Sequence, residues 1–192
     1  MEQQHIVAHS VGYYPEVIPC ELISLMEKEV KNIDTTLFSP GEVGTYSENS
    51  VDLKLRNSKI TWWYEDHWVS SIFCHYFNRA NRDLWEYDLT FLNGIQITSY
   101  DKDDHYTWHS DYGSEPDSNH TRKLSASLLI SDPTEFEGGD LEFINYHGKV
   151  SPAPRTKGTM IIFDSRIPHR VTPVTKGKRI SLVAWMLGPK LR

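Results

Sequence analysis

The chain has 192 residues, 39% of them hydrophobic and 24% charged, and its 20 Lys and Arg against 26 Asp and Glu leave a net charge of −6. A chain of this length buries roughly 70% of its unfolded surface, so it can fold as one compact domain without disulfides or a structural metal. Disorder is excluded by the composition, and a general attraction for nucleic acid or anionic lipid by the charge. Cys20 and Cys74 are far apart, form no CxxC and suit a reducing compartment. The opening MEQQHIVAHS lacks the apolar run of a secretory leader, and runs such as MIIF and LLI are too short to cross a bilayer. The expectation is a cytoplasmic protein with no membrane partner.

Residues 1–93 read as helical and irregular. Pro19 opens a helix to about Lys31, with Leu22, Ile23, Met26 and Val30 at a spacing of three to four, Glu21 early and Lys28 and Lys31 late. SPGEVGTYSENS reads as loop. A second helix is expected from about Asp66, its cap, to Arg79, with Trp68, Ile72, Phe73 and Phe77 packing on a sheet. The cluster Trp62-Trp63-Tyr64 suits core, lid or a peptide groove. Residues 94–188 read as about eight short strands: GIQITSY, HYTWHSD, KLSASLLIS, GDLEFIN, GKVSPA, TMIIFD, HRVTPV and RISLVAWML. Gly138-Gly139, His147-Gly148 and Lys176-Gly177 mark turns between them. With no helix intervening, the pattern is that of an antiparallel sandwich or jelly roll, and the whole of 1–192 is taken as one domain.

His109 and Asp111 form an HxD pair, and on a strand residues two apart share a face. His169, after a hydrophobic strand and Pro168, is the best third partner, because a closed sheet can bridge the sixty residues between the histidines. Two His and one carboxylate leave three octahedral positions open, which suits Fe(II) in oxygenases. Arg179 follows the turn TKGK and can hold a carboxylate through two parallel hydrogen bonds, with Ser181 aimed the same way. Spacing alone leaves open a surface His beside an Asp, and a surface Arg after a basic turn.

These residues lie in three ordered pieces, QITSYDKDDHYTWHSD, RKLSASLLISDPTEFEGGDLEF and HRVTPVTKGKR. Together they resemble the Fe(II)- and 2-oxoglutarate-dependent dioxygenases of the prolyl/lysyl hydroxylase-domain type. LRNSKITWW is similar to the segment before the core of prolyl 4-hydroxylases. The resemblance implies a mainly β fold, a double-stranded β-helix (cupin-like jelly roll), with the N-terminal helices against one sheet. It implies His109, Asp111 and His169 as catalytic iron ligands. Arg179, Tyr100 and Ser181 would contact 2-oxoglutarate, and Arg56, Trp62, Trp63, Tyr106 and Trp185 the substrate. Where some relatives put a Tyr, this chain has Leu128 and Leu129, so that hydrogen bond to 2-oxoglutarate is either missing or made by Ser127 or Ser181. The implied cofactors are Fe(II), 2-oxoglutarate and O2, with ascorbate as an accessory reductant.

The implied reaction is hydroxylation of a prolyl residue in a protein or peptide, under a cover formed by about Arg56 to Trp68. A free amino acid or other small molecule is the alternative, and a β-sandwich binding or structural module the non-enzyme one. Nucleic acid is not expected as a partner, since RISLVAW lacks the second Arg of the nucleic-acid demethylases.

Overall fold

Alternation along three long strands determines the architecture. In Phe91–Tyr100, Ile95 and Ile97 point one way and Gln96, Thr98 and Tyr100 the other. In His120–Leu129, Leu124, Ala126 and Leu128 oppose Ser125 and Ser127; in Arg179–Pro189, Leu182, Ala184 and Met186 oppose Arg179, Ser181, Val183 and Trp185. One face of the sheet is therefore apolar and must be covered, and the other is polar and can line a cavity.

The computed structural model describes residues 6–8, 11–44, 49–113, 119–145 and 147–190. The three strands lie in an antiparallel eight-stranded sheet ordered 6–8, 11–14, 160–164, 120–129, 179–189, 91–100, 59–63 and 39–40. A five-stranded sheet faces it, ordered 150–152, 141–144, 169–171, 105–109 and 56–57. The result is the expected jelly roll with helices on one sheet.

Those helices, α1 (Cys20–Lys31) and α2 (Val69–Leu84), cover the apolar face of the large sheet. Ile23, Met26 and Val30 of α1 join Val69, Phe73, Phe77 and Ala80 of α2 over Ile95, Ile97, Leu124, Leu128 and Leu182. A smaller core of Tyr100, Leu141, Phe143, Ile161, Phe163, Val171 and Val174 joins the two sheets. Among the described residues, no helix is long and apolar enough to cross a membrane.

Several expectations need correction. The N-terminal part is not only helical, because Val11–Tyr14 and Lys59–Trp63 are strands of the large sheet. The second helix starts later than Asp66 and its cap, Trp68, makes no side-chain cap bond. The Ser39–Ser50 stretch forms two-residue strands at 39–40, 43–44 and 49–50, while residues 45–48 lie outside the described residues. The proposed cover is also replaced: Lys59–Trp63 is paired over five residues with the 91–100 strand. A segment held by such a ladder cannot swing as a lid without breaking it.

Phe77 is fully buried between α2 and the sheet. Phe77→Ala is expected to lower unfolding free energy by about 3–5 kcal/mol in urea denaturation, through lost burial and the cavity left behind.

Candidate active site

His109 ends the strand His105–His109, and His169 begins the strand His169–Val171. The antiparallel register sets the two residues directly opposite each other, with ring centroids 4.1 Å apart. Asp111 joins them from just beyond its strand rather than by strand alternation. Its backbone N–H donates to the Ser165 carbonyl at 2.9 Å, and the N–H of Tyr112 to the same oxygen at 3.0 Å. The Asp111 carboxylate then lies 3.7 Å from His109 Nε2 and 3.6 Å from His169 Nε2. One donor atom from each of the three residues lies within 4.8 Å of the others.

Hydrogen bonds behind the ligands fix what they present. His109 Nδ1 faces the Thr107 carbonyl at 2.8 Å and His169 Nδ1 the Ile167 carbonyl at 2.9 Å. A carbonyl only accepts, so each Nδ1 carries the proton and each Nε2 offers its lone pair to the shared space. Burial and the neighbouring His169 hold the His109 pKa far below the imidazole range, which keeps the ring neutral. Burial alone would raise the Asp111 pKa; His169, His109, Arg122 and the Ser125 hydrogen bond outweigh it and keep the carboxyl ionised. Two imidazoles and a carboxylate are the donor set of an oxygen-activating Fe(II) centre with open positions, and they fit one divalent cation here.

Ser125 is the residue that sequence reasoning missed. Its hydroxyl donates to Asp111 Oδ2 at 2.7 Å and lies 2.9 Å from Ser165 Oγ, with both serines fully buried. The turn carrying Ser165 is held by Asp164, which bonds Arg166 and accepts from the Tyr87 hydroxyl at 2.6 Å. Nothing in the motif spacing marks Ser125; strand alternation opposite the apolar Leu124 and Ala126 would have found it.

The cluster lines a cavity of about 540 Å³ between the sheets, within the usual range for small-ligand sites. Arg179 is 4% exposed at its inner wall. It donates to Ser181 Oγ at 2.8 Å and stands over the Tyr100 ring at 5.4 Å. Burial lowers its pKa, and among the described residues no carboxylate pairs with it. Gly139 (φ +65°) makes room for it, since a Cβ there would lie 3.0 Å from Arg179 Cδ. A buried, unmatched guanidinium in the cavity that holds the cation site suits a dicarboxylate reaching from one to the other.

Ser127 also lines the cavity, whereas Leu128 points to the helices. Tyr106 stacks on His109 at 3.5 Å, and Arg56 Cζ lies 4.7 Å from the centroid of the same ring. Trp62 and Trp185 line the wall with centroids 5.9 Å apart, and Arg122 lies 4.1 Å over Trp185. Trp63 does not join them. Strand alternation turns it to the helix side, where it stacks on His67 at 4.1 Å. Arg170 points away from the cavity and pairs with Glu142 at 2.7 Å.

Residues 95–187 match the family model described as the 2OG-Fe(II) oxygenase superfamily. A PKHD-type hydroxylase of Acidovorax ebreus is 40% identical over 63 residues, 33% of this chain and 27% of that protein. One of Janthinobacterium is 36% identical over 91 residues, 45% of this chain and 40% of that protein. The chain thus spans well under half the length of these curated relatives. In fold it is similar to a prolyl-4-hydroxylase of Pseudomonas putida, with a TM-score of 0.73, 19% identity and coverage of 93% and 92% of the two chains. A Trichoplax adhaerens prolyl hydroxylase, solved with a hypoxia inducible factor peptide fragment, gives 0.73 and 19% over 94% and 84%. The carbocyclase SnoK from nogalamycin biosynthesis gives 0.69 and 13% over 94% and 80%.

Ser125→Ala is expected to weaken Co(II) binding by roughly 10–100-fold in anaerobic calorimetric titration, because Asp111 loses the bond that orients it. Unchanged affinity in a folded variant would remove Ser125 from that role.

Proposed function

We propose that this chain, whose residues 95–187 belong to the 2OG-Fe(II) oxygenase superfamily, is an Fe(II)- and 2-oxoglutarate-dependent dioxygenase that hydroxylates a prolyl residue in an extended peptide. The observation that carries this reading is the His109, Asp111 and His169 cluster sharing one cavity with Arg179, which has no carboxylate partner among the described residues. When bound, the iron and 2-oxoglutarate supply the oxidation of a C–H bond by O2, with one oxygen atom going to the product alcohol and the other to succinate as CO2 is released.

The protein's part is to bind, orient and exclude water. His109 and His169 offer Nε2, and Asp111 offers its carboxylate against the Ser125 hydroxyl. Arg179, with Ser181 and Tyr100 beside it, takes the far carboxylate of 2-oxoglutarate. The resulting span sets how far the keto acid end reaches toward the metal. Val171, Leu141 and Phe163 keep the inner wall apolar, which limits water near the reacting C–H bond. On the cavity wall, Trp62 and Trp185 offer flat apolar area for a pyrrolidine ring. The prolyl assignment is supported by the two prolyl hydroxylases of like fold, one of them solved with a peptide fragment.

The test is 2-oxoglutarate turnover coupled to a mass gain of about 16 Da on a proline-containing peptide library. His109→Ala, Asp111→Ala and His169→Ala are each expected to abolish turnover in a folded protein, and full activity in any one would remove that residue from the ligand set. Arg179→Ala is expected to raise KM for 2-oxoglutarate by roughly two to three orders of magnitude, the cost of breaking a buried charge pair, while Arg170→Ala barely moves it. The reverse order would make Arg170 the anchor. Brisk turnover on a free amino acid with no peptide product would overturn the peptide reading and leave the metal site intact.

A further inference from the structure

The cavity holds a second buried arginine that the reaction above does not use. Arg56 is 7% exposed and lines the same cavity. Its Nε donates to Ser58 Oγ at 3.0 Å, Nη1 to the Glu42 carbonyl at 2.9 Å and Nη2 to Gln96 Oε1 at 2.6 Å. All three acceptors are neutral. Even Glu42, whose carbonyl touches the guanidinium, keeps its carboxylate in solvent and forms no ion pair with it. A guanidinium has five N–H groups; three are committed here, so two remain.

Arg56 and Arg179 are both buried in the cavity lining, and neither has a carboxylate partner among the described residues. A 2-oxoglutarate held by Arg179 would leave the Arg56 charge without a carboxylate in a partly desolvated space. Holding such a charge is costly unless an anion arrives with the ligand. A further donor waits on the same wall: Trp185 is 5% exposed and its Nε1–H has no acceptor among the described residues. Tyr106 ties Arg56 to the metal cluster, since its ring stacks on His109 at 3.5 Å and has Arg56 Cζ 4.7 Å from its centroid. Arg56 therefore stands one side chain away from a candidate metal ligand, near enough to meet a group beside the target carbon.

We propose that Arg56 is a specificity-determining residue that binds a carboxylate of the substrate next to the hydroxylated residue. The inference rests on the hydroxylase reading above and narrows its substrate class to acids. The carboxylate has two sources, an Asp or Glu side chain flanking the target in a peptide, or the α-carboxylate of a free amino acid.

The experiment compares acid and amide isosteres with the full chain loaded with Fe(II) and 2-oxoglutarate. One arm uses proline peptides with Asp or Asn at each flanking position, the other free L-proline against L-prolinamide. Product mass and KM are read, together with quenching of tryptophan fluorescence when each compound binds the metal-free protein. The acid of one pair is expected to exceed its amide by roughly ten- to a hundredfold in kcat/KM, mostly through KM, as for a hydrogen bond to a charged group. The arm in which this appears identifies the source. Arg56→Gln is expected to bring the acid-to-amide ratio to about one, and Arg56→Lys to retain part of it, since a point charge survives without the fork. Equal use of acid and amide by the parent protein would overturn the subsite and leave the hydroxylase reading standing, as would a preference that persists in folded Arg56→Gln. Hydroxylation of no compound in either arm would overturn both.

Discussion

The pairing of residue 109 with residue 169 across the smaller sheet governs what the cavity can do. These residues are separated by sixty positions of chain, and only the antiparallel register sets their imidazoles side by side. A slip of one residue would turn one ring out of the cavity, because side chains alternate between faces. The register is reinforced from behind, by the bonds of each Nδ1 to a carbonyl two residues earlier and by the Ser165 carbonyl that receives the backbone of Asp111. The cation site is therefore a product of backbone pairing, and its ligands need little adjustment to meet a metal.

A second constraint supports the first. The large sheet carries a polar inner face, with Gln96, Thr98, Ser125, Ser127, Arg179 and Ser181 all directed between the sheets. So much polar surface contributes little to a hydrophobic core. The compensating burial lies on the outer face, where α1 and α2 close over isoleucine, leucine and alanine. The helices are remote from the chemistry, yet without them the sheet would have no dry side. Separating the two tasks lets the cavity keep two buried guanidiniums, Arg56 and Arg179, that have no carboxylate partner among the described residues, which is costly in the free protein.

Much of this was legible in the residues. Strand alternation, the HxD pair, His169 after its apolar strand and Arg179 beyond a basic turn were all readable, because local periodicity and turn chemistry agree there with the tertiary fold. Three features were not. Asp111 lies past the end of its strand, so its position depends on a contact with Ser165 that no local pattern records. Trp62, Trp63 and Tyr64 looked like one aromatic unit, but pairing in the sheet sends Trp62 to the cavity and Trp63 to the helices and leaves Tyr64 exposed. Alternation marks Ser125 as inward-facing, but its bond to Asp111 and the neutral surroundings of Arg56 are long-range hydrogen-bond facts, visible only once residues 14 and 40 positions away are brought into contact.

The chemistry proposed for this cavity requires that it bind iron and 2-oxoglutarate together at one place. Anaerobic titration of the protein with Fe(II) and 2-oxoglutarate, followed by the weak visible charge-transfer band of the metal–keto acid chelate, tests it most directly. The expected result is a band that needs both Fe(II) and 2-oxoglutarate and saturates at a single equivalent of each per chain. Iron that binds without fixed stoichiometry, or a mixture of protein, Fe(II) and 2-oxoglutarate that gives no band, would contradict it.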